Sequence, residues 1–284
     1  MSPTPRHRVA VVGSANTDLV VRCDRLPCPG ETVLGGEVER LPGGKGANQA
    51  AALARLGVDT FMVACLGRDD EGDWLLGTLT SRGVDVSLVQ RSSRASGVAF
   101  ITVDAHGENE IVVSRGANQD LDLTPVDIEG FDVVLAQMEV SSDLVEELAS
   151  RSSTLILNVA PWRHVGEKTL SRCAVVIANE LEAQGLDLGR LSHCIVTRGS
   201  RGAVHYSFAR VIAEVPALHV DVVDSVGAGD VFCAAYAARY LHHDSPEEVL
   251  RFAVTAASLA TRARGAQGSL PTTGEVNTWL ARAS

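Results

Sequence analysis

Six short apolar runs, rich in β-branched residues, alternate along this chain with segments of helical periodicity. The runs are Val9–Val12, Phe61–Cys65, Val133–Ala136, Leu155–Leu157, Val175–Ala178 and Cys194–Thr197. Apolar on both faces, they read as buried parallel strands. Helical patterns follow at Gly46–Leu56, Glu71–Arg82, Ser141–Arg151, Ala228–Leu241 and Pro246–Thr261. Parallel strands need long crossover connections, and helices supply them. The predicted fold class is therefore α/β, in layers, with ligands gathered at the carboxyl ends of the strands.

Two segments break this rhythm. Leu19–Glu39 and Gly97–Val113 alternate in polarity and carry turn residues at Pro29-Gly30 and His106-Gly107, so they read as hairpins. The plain alternative is a pair of ordinary surface hairpins. No internal repeat, low-complexity tract or linker divides the chain, and residues 1–284 are expected to form one domain. With 284 residues, 45% of them hydrophobic, one sizeable core is within reach.

Charge narrows the partners. Against 35 acidic residues stand 25 basic ones, a net charge of −10, which argues against nucleic acid as the main partner. A phosphorylated small ligand needs only a local positive field. Lys45 and Lys168 are the only lysines, and Lys45 sits in a glycine-rich segment where a compact ammonium fits and a guanidinium does not. The six cysteines (Cys23, Cys28, Cys65, Cys173, Cys194, Cys233) form no CxxC pair, so free thiols in a reducing compartment are expected. Met1–Arg8 lacks the apolar stretch of a signal peptide, and no apolar run approaches membrane-spanning length. A cytoplasmic protein without membrane contact is the expectation.

One segment points to phosphate chemistry. A β-like run, His219–Val223, is followed by Asp224-Ser225-Val226-Gly227-Ala228-Gly229-Asp230 and then by a helical pattern. Small residues let backbone amides crowd around an anion, and a helix start adds unpaired N–H groups. A carboxylate beside that site would repel phosphate, unless it serves as a base that takes a proton from an attacking hydroxyl. Taken alone, Asp230 reads equally well as a first-turn helix residue.

A second glycine-rich segment, Gly43-Gly44-Lys45-Gly46-Ala47-Asn48-Gln49, opens the helix ending at Leu56. Together with Gly13-Ser14-Ala15-Asn16-Thr17-Asp18 and the Asp224–Asp230 segment, in this order, it resembles the PfkB/ribokinase family of carbohydrate kinases. The resemblance runs from about Val9 to about Pro271. It implies a three-layer α/β/α fold with a mostly parallel central sheet and a small β-sheet lid, made by about residues 17–40 and 96–114, which often also forms a dimer contact. Asp230 becomes the catalytic base, and the N–H groups of Gly227, Ala228 and Gly229 become the anion hole.

Sugar hydroxyls are held by carboxylates and amides, and ionised acceptors bind most strongly. By the resemblance, Asn16, Asp18, Gly43, Gly44, Lys45, Asn48, Glu139 and Asp230 bind the sugar. Asp18, Lys45, Asn48 and Glu139 match the members that act on ribose more closely than those acting on deoxyribose, ketohexoses, nucleosides or pseudouridine. Without the resemblance, Asp18 is a turn residue after the first strand, Gly43-Gly44 a flexible turn, and Glu139 a solvated strand end.

The nucleotide side follows the same logic. Asn179 and Glu182 resemble an N-x-x-E motif that orders Mg²⁺-bound water and phosphate; their bland reading is an acidic helix start. Thr197, Arg198, Gly199, Ser200 and Gly202 resemble a loop that holds the phosphates of ATP, with Gly229 beside it; their bland reading is a hairpin turn. A monovalent cation, usually K⁺, is implied at Asp224, Val226, Ala260, Ala263, Gly265 and Ser269. The G-x-x-x-x-G-K-[ST] loop, the protein-kinase signatures and the dinucleotide fingerprint are all absent. Two departures stand out: Ala183–Arg190 is short where the family has an extra helix, and Val254 replaces a His or Asn near the adenine. The rival of another class is a sugar- or nucleotide-sensing protein on the same fold.

Overall fold

The computed structural model describes residues 7–283 except Leu241 and His243; the predicted helix end at Leu241, Met1–Arg6 and Ser284 lie outside the described residues. In chain order the elements are β1 (Arg8–Val12), β2 (Asn16–Arg22), β3 (Val38–Gly43), α1 (Lys45–Arg55), β4 (Asp59–Val63), β5 (Cys65–Gly67), α2 (Asp70–Ser81), β6 (Gln90–Ser92), β7 (Gly97–Val103) and β8 (Asn109–Ser114). They continue as β9 (Val133–Gln137), α3 (Ser142–Arg151), β10 (Leu155–Asn158), α4 (Glu167–Leu170), β11 (Val175–Asn179), α5 (Glu180–Ala183), β12 (Cys194–Thr197), β13 (Ala203–Ser207), β14 (Arg210–Val215), α6 (Ala228–Tyr240), α7 (Pro246–Ala260) and α8 (Thr273–Ala283).

The main sheet has eight strands in the order β14-β13-β12-β11-β10-β9-β1-β4. Six are parallel, and β13 and β14 close one side antiparallel. Successive side chains go to opposite faces. Val9, Val11, Val133, Leu135, Val175 and Ile177 join the core under α1, α6 and α7. Their neighbours Ala10, Val12, Val134, Ala136, Val176 and Ala178 join a second core with α3. Both faces are buried, so the predicted apolar runs and the three-layer α/β/α arrangement are observed.

A separate four-stranded sheet, in the order β3-β2-β7-β8, stands beside the main one. Its β7–β8 connection is a tight hairpin with Asp104 and Glu108 paired at its neck. The β2–β3 pair is joined instead by a long irregular loop that contains the Pro29-Gly30 turn.

Three local expectations are corrected. His219–Val223 is not a strand, because no sheet edge reaches it. Its backbone turns to the end of α7, where the Thr261 carbonyl accepts N–H groups from Val223 and Asp224, and Val222 and Val223 stay exposed. The run Phe61–Cys65 is split between β4 and β5, because Cys65 pairs with Gln90 in a two-stranded sheet rather than with β1. Asn16 and Asp18 lie on β2, not on a turn: only three residues separate β1 from β2, and β2 is paired on both edges. Strands β13 and β14 and helix α8 add to the predicted elements.

Leu53 lies on α1 with none of its surface exposed. Leu53→Ala is expected to lower unfolding free energy by about 2–5 kcal/mol, the range for a buried leucine truncated to a cavity, as read by urea denaturation.

Candidate active site

The parallel strands β1, β9, β11 and β12 end at one edge of the sheet, and the chemistry-bearing residues follow those ends. Asn16 and Asp18 follow β1, Glu139 follows β9, Asn179 closes β11, and Thr197 closes β12 in register with Asn179. The first turns of α1 and α6 face this edge from the core side.

Glycine makes the approach of α1 possible. Gly44 precedes the helix with φ at 86°, and a Cβ there would lie 2.9 Å from the Ala15 Cα. A Cβ on Gly43 would fall 2.1 Å from the Asp18 carboxylate. The turn can therefore accept neither side chain. Beyond it, the Lys45 N–H donates to Glu139 at 3.0 Å and the Ala47 N–H to the Ser14 carbonyl at 2.9 Å. The Ser14 hydroxyl also donates to Glu139, so the Glu139 carboxylate sits on the positive end of α1.

Asp230, 5% exposed, is held from both sides. Asn48 Nδ2 donates to its Oδ2 at 3.0 Å and Gln49 Nε2 to its Oδ1 at 3.1 Å. Lys45 Nζ stands 4.0 Å from Oδ1. The Asp230 charge, foremost, raises the Lys45 pKa. Just before α6, Gly227 has φ at 79°, and a Cβ there would meet Ala266 backbone at 2.5 Å. Of the predicted anion-hole donors, Ala228 N–H is engaged by the Ser225 carbonyl at 3.2 Å. Gly229 has nothing within 4 Å of where a Cβ would stand, so the helix start is open on that side.

Asp18 projects into the same cleft and lacks a hydrogen bond from the described residues. Burial, first, and then the charges of Glu139 and Asp230 push its pKa up to about 7. Asn16 is buried, and its Oδ1 accepts from Asn118 Nδ2 at 2.8 Å, so Asn118 fixes the strand entering the site.

The rest of the site is more structural in its contacts. Asn179 and Glu182 form a reciprocal capping box on α5: Glu182 N–H donates to Asn179 Oδ1 at 2.9 Å, and Asn179 N–H to Glu182 Oε2 at 2.8 Å. Thr197–Gly202 turns the antiparallel hairpin β12–β13, with Arg198 N–H donating to the Gly202 carbonyl at 2.7 Å. Ser200 lies within that turn, and a Cβ on Gly202 would overlap the Val215 carbonyl at 2.0 Å. Both bland readings hold locally without removing either segment from the strand edge. The Ala183–Arg190 stretch holds only the end of α5 and a 3₁₀ turn, and Val254 is buried in the core under the sheet.

Asp224 bridges two loops: Oδ1 accepts from Val226 N–H and Oδ2 from Gly265 N–H, both at 2.9 Å. Ala260 ends α7, Ala263 follows it, and the Ser269 hydroxyl donates to the Leu259 carbonyl at 3.4 Å. Among the described residues, no three His, Cys, Asp or Glu side chains converge as a metal site. None of the described helices is long and apolar enough to cross a membrane.

Residues 6–273 match the pattern of pfkB family carbohydrate kinases. The chain belongs to this family. It is 39% identical to a ribokinase of Bacillus subtilis, with 96% of this chain and 99% of that protein aligned. The crystal structure of a Thermotoga maritima ribokinase superposes with a TM-score of 0.90 at 31% identity, covering 97% of this chain and 99% of that one. An Arabidopsis thaliana ribokinase, solved as a complex with ribose and ATP, superposes with a TM-score of 0.86 at 29% identity, covering 98% and 99% of the two chains.

Membership in the PfkB family makes the chain a carbohydrate kinase, and the residues that sequence reasoning passed over now stand out. Ser14 donates to Glu139 and Asn118 to Asn16, while Gln137 and Gln267 contact the partners of Asp230. Of these, only Gln137 carries a sequence signal, as a lone polar residue in an apolar run.

The raised Asp18 pKa has a signed consequence. The folded state binds this proton more tightly than the unfolded chain, whose carboxyl has the ordinary value of 3.8. The stability it contributes is full below about pH 4 and is lost as pH rises through about 7. Asp18→Asn should match wild-type thermal stability only below about pH 4, exceed it slightly at pH 5 and exceed it most at pH 8, when ligand-free proteins are melted side by side.

Proposed function

We propose that the chain is an ATP-dependent kinase that transfers the γ-phosphoryl group to the 5-hydroxyl of D-ribose. The observation that carries this reading is Asp230: a buried carboxylate at an open, small-residue helix start, fixed by two amide donors and facing a cleft with Asp18 and Glu139. Asp18 and Glu139 accept hydrogen bonds from ribose hydroxyls, and Lys45 and Asn48 face them across Gly43-Gly44. Asp230 takes the hydroxyl proton as that oxygen attacks the γ-phosphorus. The bond from the γ-phosphorus to the bridging oxygen breaks, leaving ribose 5-phosphate and ADP. The amides of Gly227, Ala228 and Gly229 face the charge on the transferring group. Ala228 N–H must leave the Ser225 carbonyl to take part.

ATP lies along the ends of β11 and β12, against Asn179, Glu182, Thr197, Arg198, Gly199, Ser200 and Gly202. Glu182 has one oxygen outside the capping box, enough for a Mg²⁺-bound water and fitting for a hard ion that keeps its hydration. Bound Mg²⁺ neutralises phosphate charge. K⁺ would sit among Asp224, Val226, Ala260, Ala263, Gly265 and Ser269, whose two loops the Asp224–Gly265 hydrogen bond joins. The small sheet serves as a lid on a single kinase domain, and one of its faces exposes Val38, Phe100 and Val112, a surface fit for a homodimer. The acidic, lysine-poor chain acts in the cytoplasm on small molecules.

Asp230→Asn keeps size and removes the base, and kcat should fall about 10²- to 10⁴-fold. ADP release measured with ribose, 2-deoxyribose, fructose and adenosine, with and without K⁺, should be fastest on ribose with K⁺. Faster turnover on another alcohol would reject the sugar assignment and keep the base.

A further inference from the structure

The donors on Asp230 are themselves held by a second set of amides. Gln49 Nε2 points at Asp230, so its Oε1 points away, and there it accepts from Gln137 Nε2 at 2.6 Å. Asn48 Nδ2 points at Asp230 likewise, and its Oδ1 accepts from Gln267 Nε2 at 2.9 Å. Two arms therefore radiate from one carboxylate, Gln49 then Gln137 from Oδ1, and Asn48 then Gln267 from Oδ2. They join four separate parts of the chain: α1, the end of β9, α6 and the loop before α8.

The polarity of both arms is dictated from the centre. An ionised carboxylate accepts and never donates, and a carboxamide has one donor end and one acceptor end. Every amide must then turn its nitrogen inward. The outermost oxygens, Gln137 Oε1 and Gln267 Oε1, are left buried with no donor from the described residues. Gln137 is 0% exposed and Gln267 6%. An orphaned buried acceptor is costly, and two at the ends of matched chains call for a cause. Gly13 even makes room for one, since a Cβ there would lie 2.0 Å from Gln137 Oε1. A packing role alone would be met by apolar side chains of the same volume.

We propose that Gln137 and Gln267 are positioning residues, which act through Gln49 and Asn48 to hold the Asp230 carboxylate aimed at the reacting hydroxyl. Neither touches Asp230. Each fixes which end its inner amide presents, and without it that amide is free to rotate and offer oxygen to oxygen. This inference rests on Asp230 being the base.

The test uses Gln49→Met, Gln137→Met, Gln267→Met and two double variants, assayed with the alcohol that supports the fastest wild-type turnover, with melting curves to confirm folding. Each single variant should lower kcat about tenfold or more, Gln49→Met by losing a hydrogen bond to the carboxylate and the outer two by freeing the inner amide that makes one, with KM for both substrates within about twofold of wild type. Same-arm losses should not multiply, so Gln49→Met with Gln137→Met should resemble Gln49→Met alone. Cross-arm losses should multiply in Gln137→Met with Gln267→Met. If Gln49→Met does not fold, the two outer variants and their double carry the test. Wild-type kcat in folded Gln137→Met and Gln267→Met, or same-arm losses that multiply fully, would overturn the proposal. Asp230→Asn is the control: loss of turnover there with intact outer variants rejects the arms alone, while full turnover there rejects the base and the arms together.

Discussion

A buried negative charge organises this molecule. Asp230 is almost fully removed from water, and an uncompensated carboxylate in such a place would be neutralised or would unfold the site. Compensation comes from two amides on α1 and an ammonium on the same turn. The first turns of α1 and α6 must therefore face each other, although their sequences lie far apart. The small residues of both turns follow from that demand, because α1 can approach β1 only without side chains at Gly44 and Gly46.

The cleft is acidic by design of its contacts rather than by accident of the net charge. Asp18 feels the charges of Glu139 and Asp230, and Lys45 sits beside those two. Glu139 is satisfied by the N-terminus of α1 and by Ser14, and Asp230 by its amides, so the charge without a partner is Asp18. A sugar offers hydroxyl donors for that unfilled acceptor, whereas a phosphate would be repelled.

Much of this was legible in the chain. Apolar runs of strand length gave away the parallel sheet because burial on both faces leaves no polar position in them. The glycine segments at Gly43–Gly46 and Gly227–Gly229 marked close backbone approach, which few other roles require. Local letters misled where pairing decides the outcome. His219–Val223 has strand composition and no strand partner, and Asp18 reads as a turn residue until β3 and β7 are seen on either side of it.

By itself the sequence determined the layered α/β class, the order of the phosphate and sugar motifs and the presence of a base candidate, because periodicity and glycine placement are local properties. Only the tertiary structure decided what surrounds Asp230. Asn48 with Gln49, Gln137 and Gln267 come from three separate segments, and nothing in the sequence links those segments. They become one network because the sheet brings the end of β9 beside the start of α1, and the loop before α8 beside Asn48. Hydrogen-bond polarity then propagates from the Asp230 charge, and that is a property of contacts between distant segments, not of any stretch of chain.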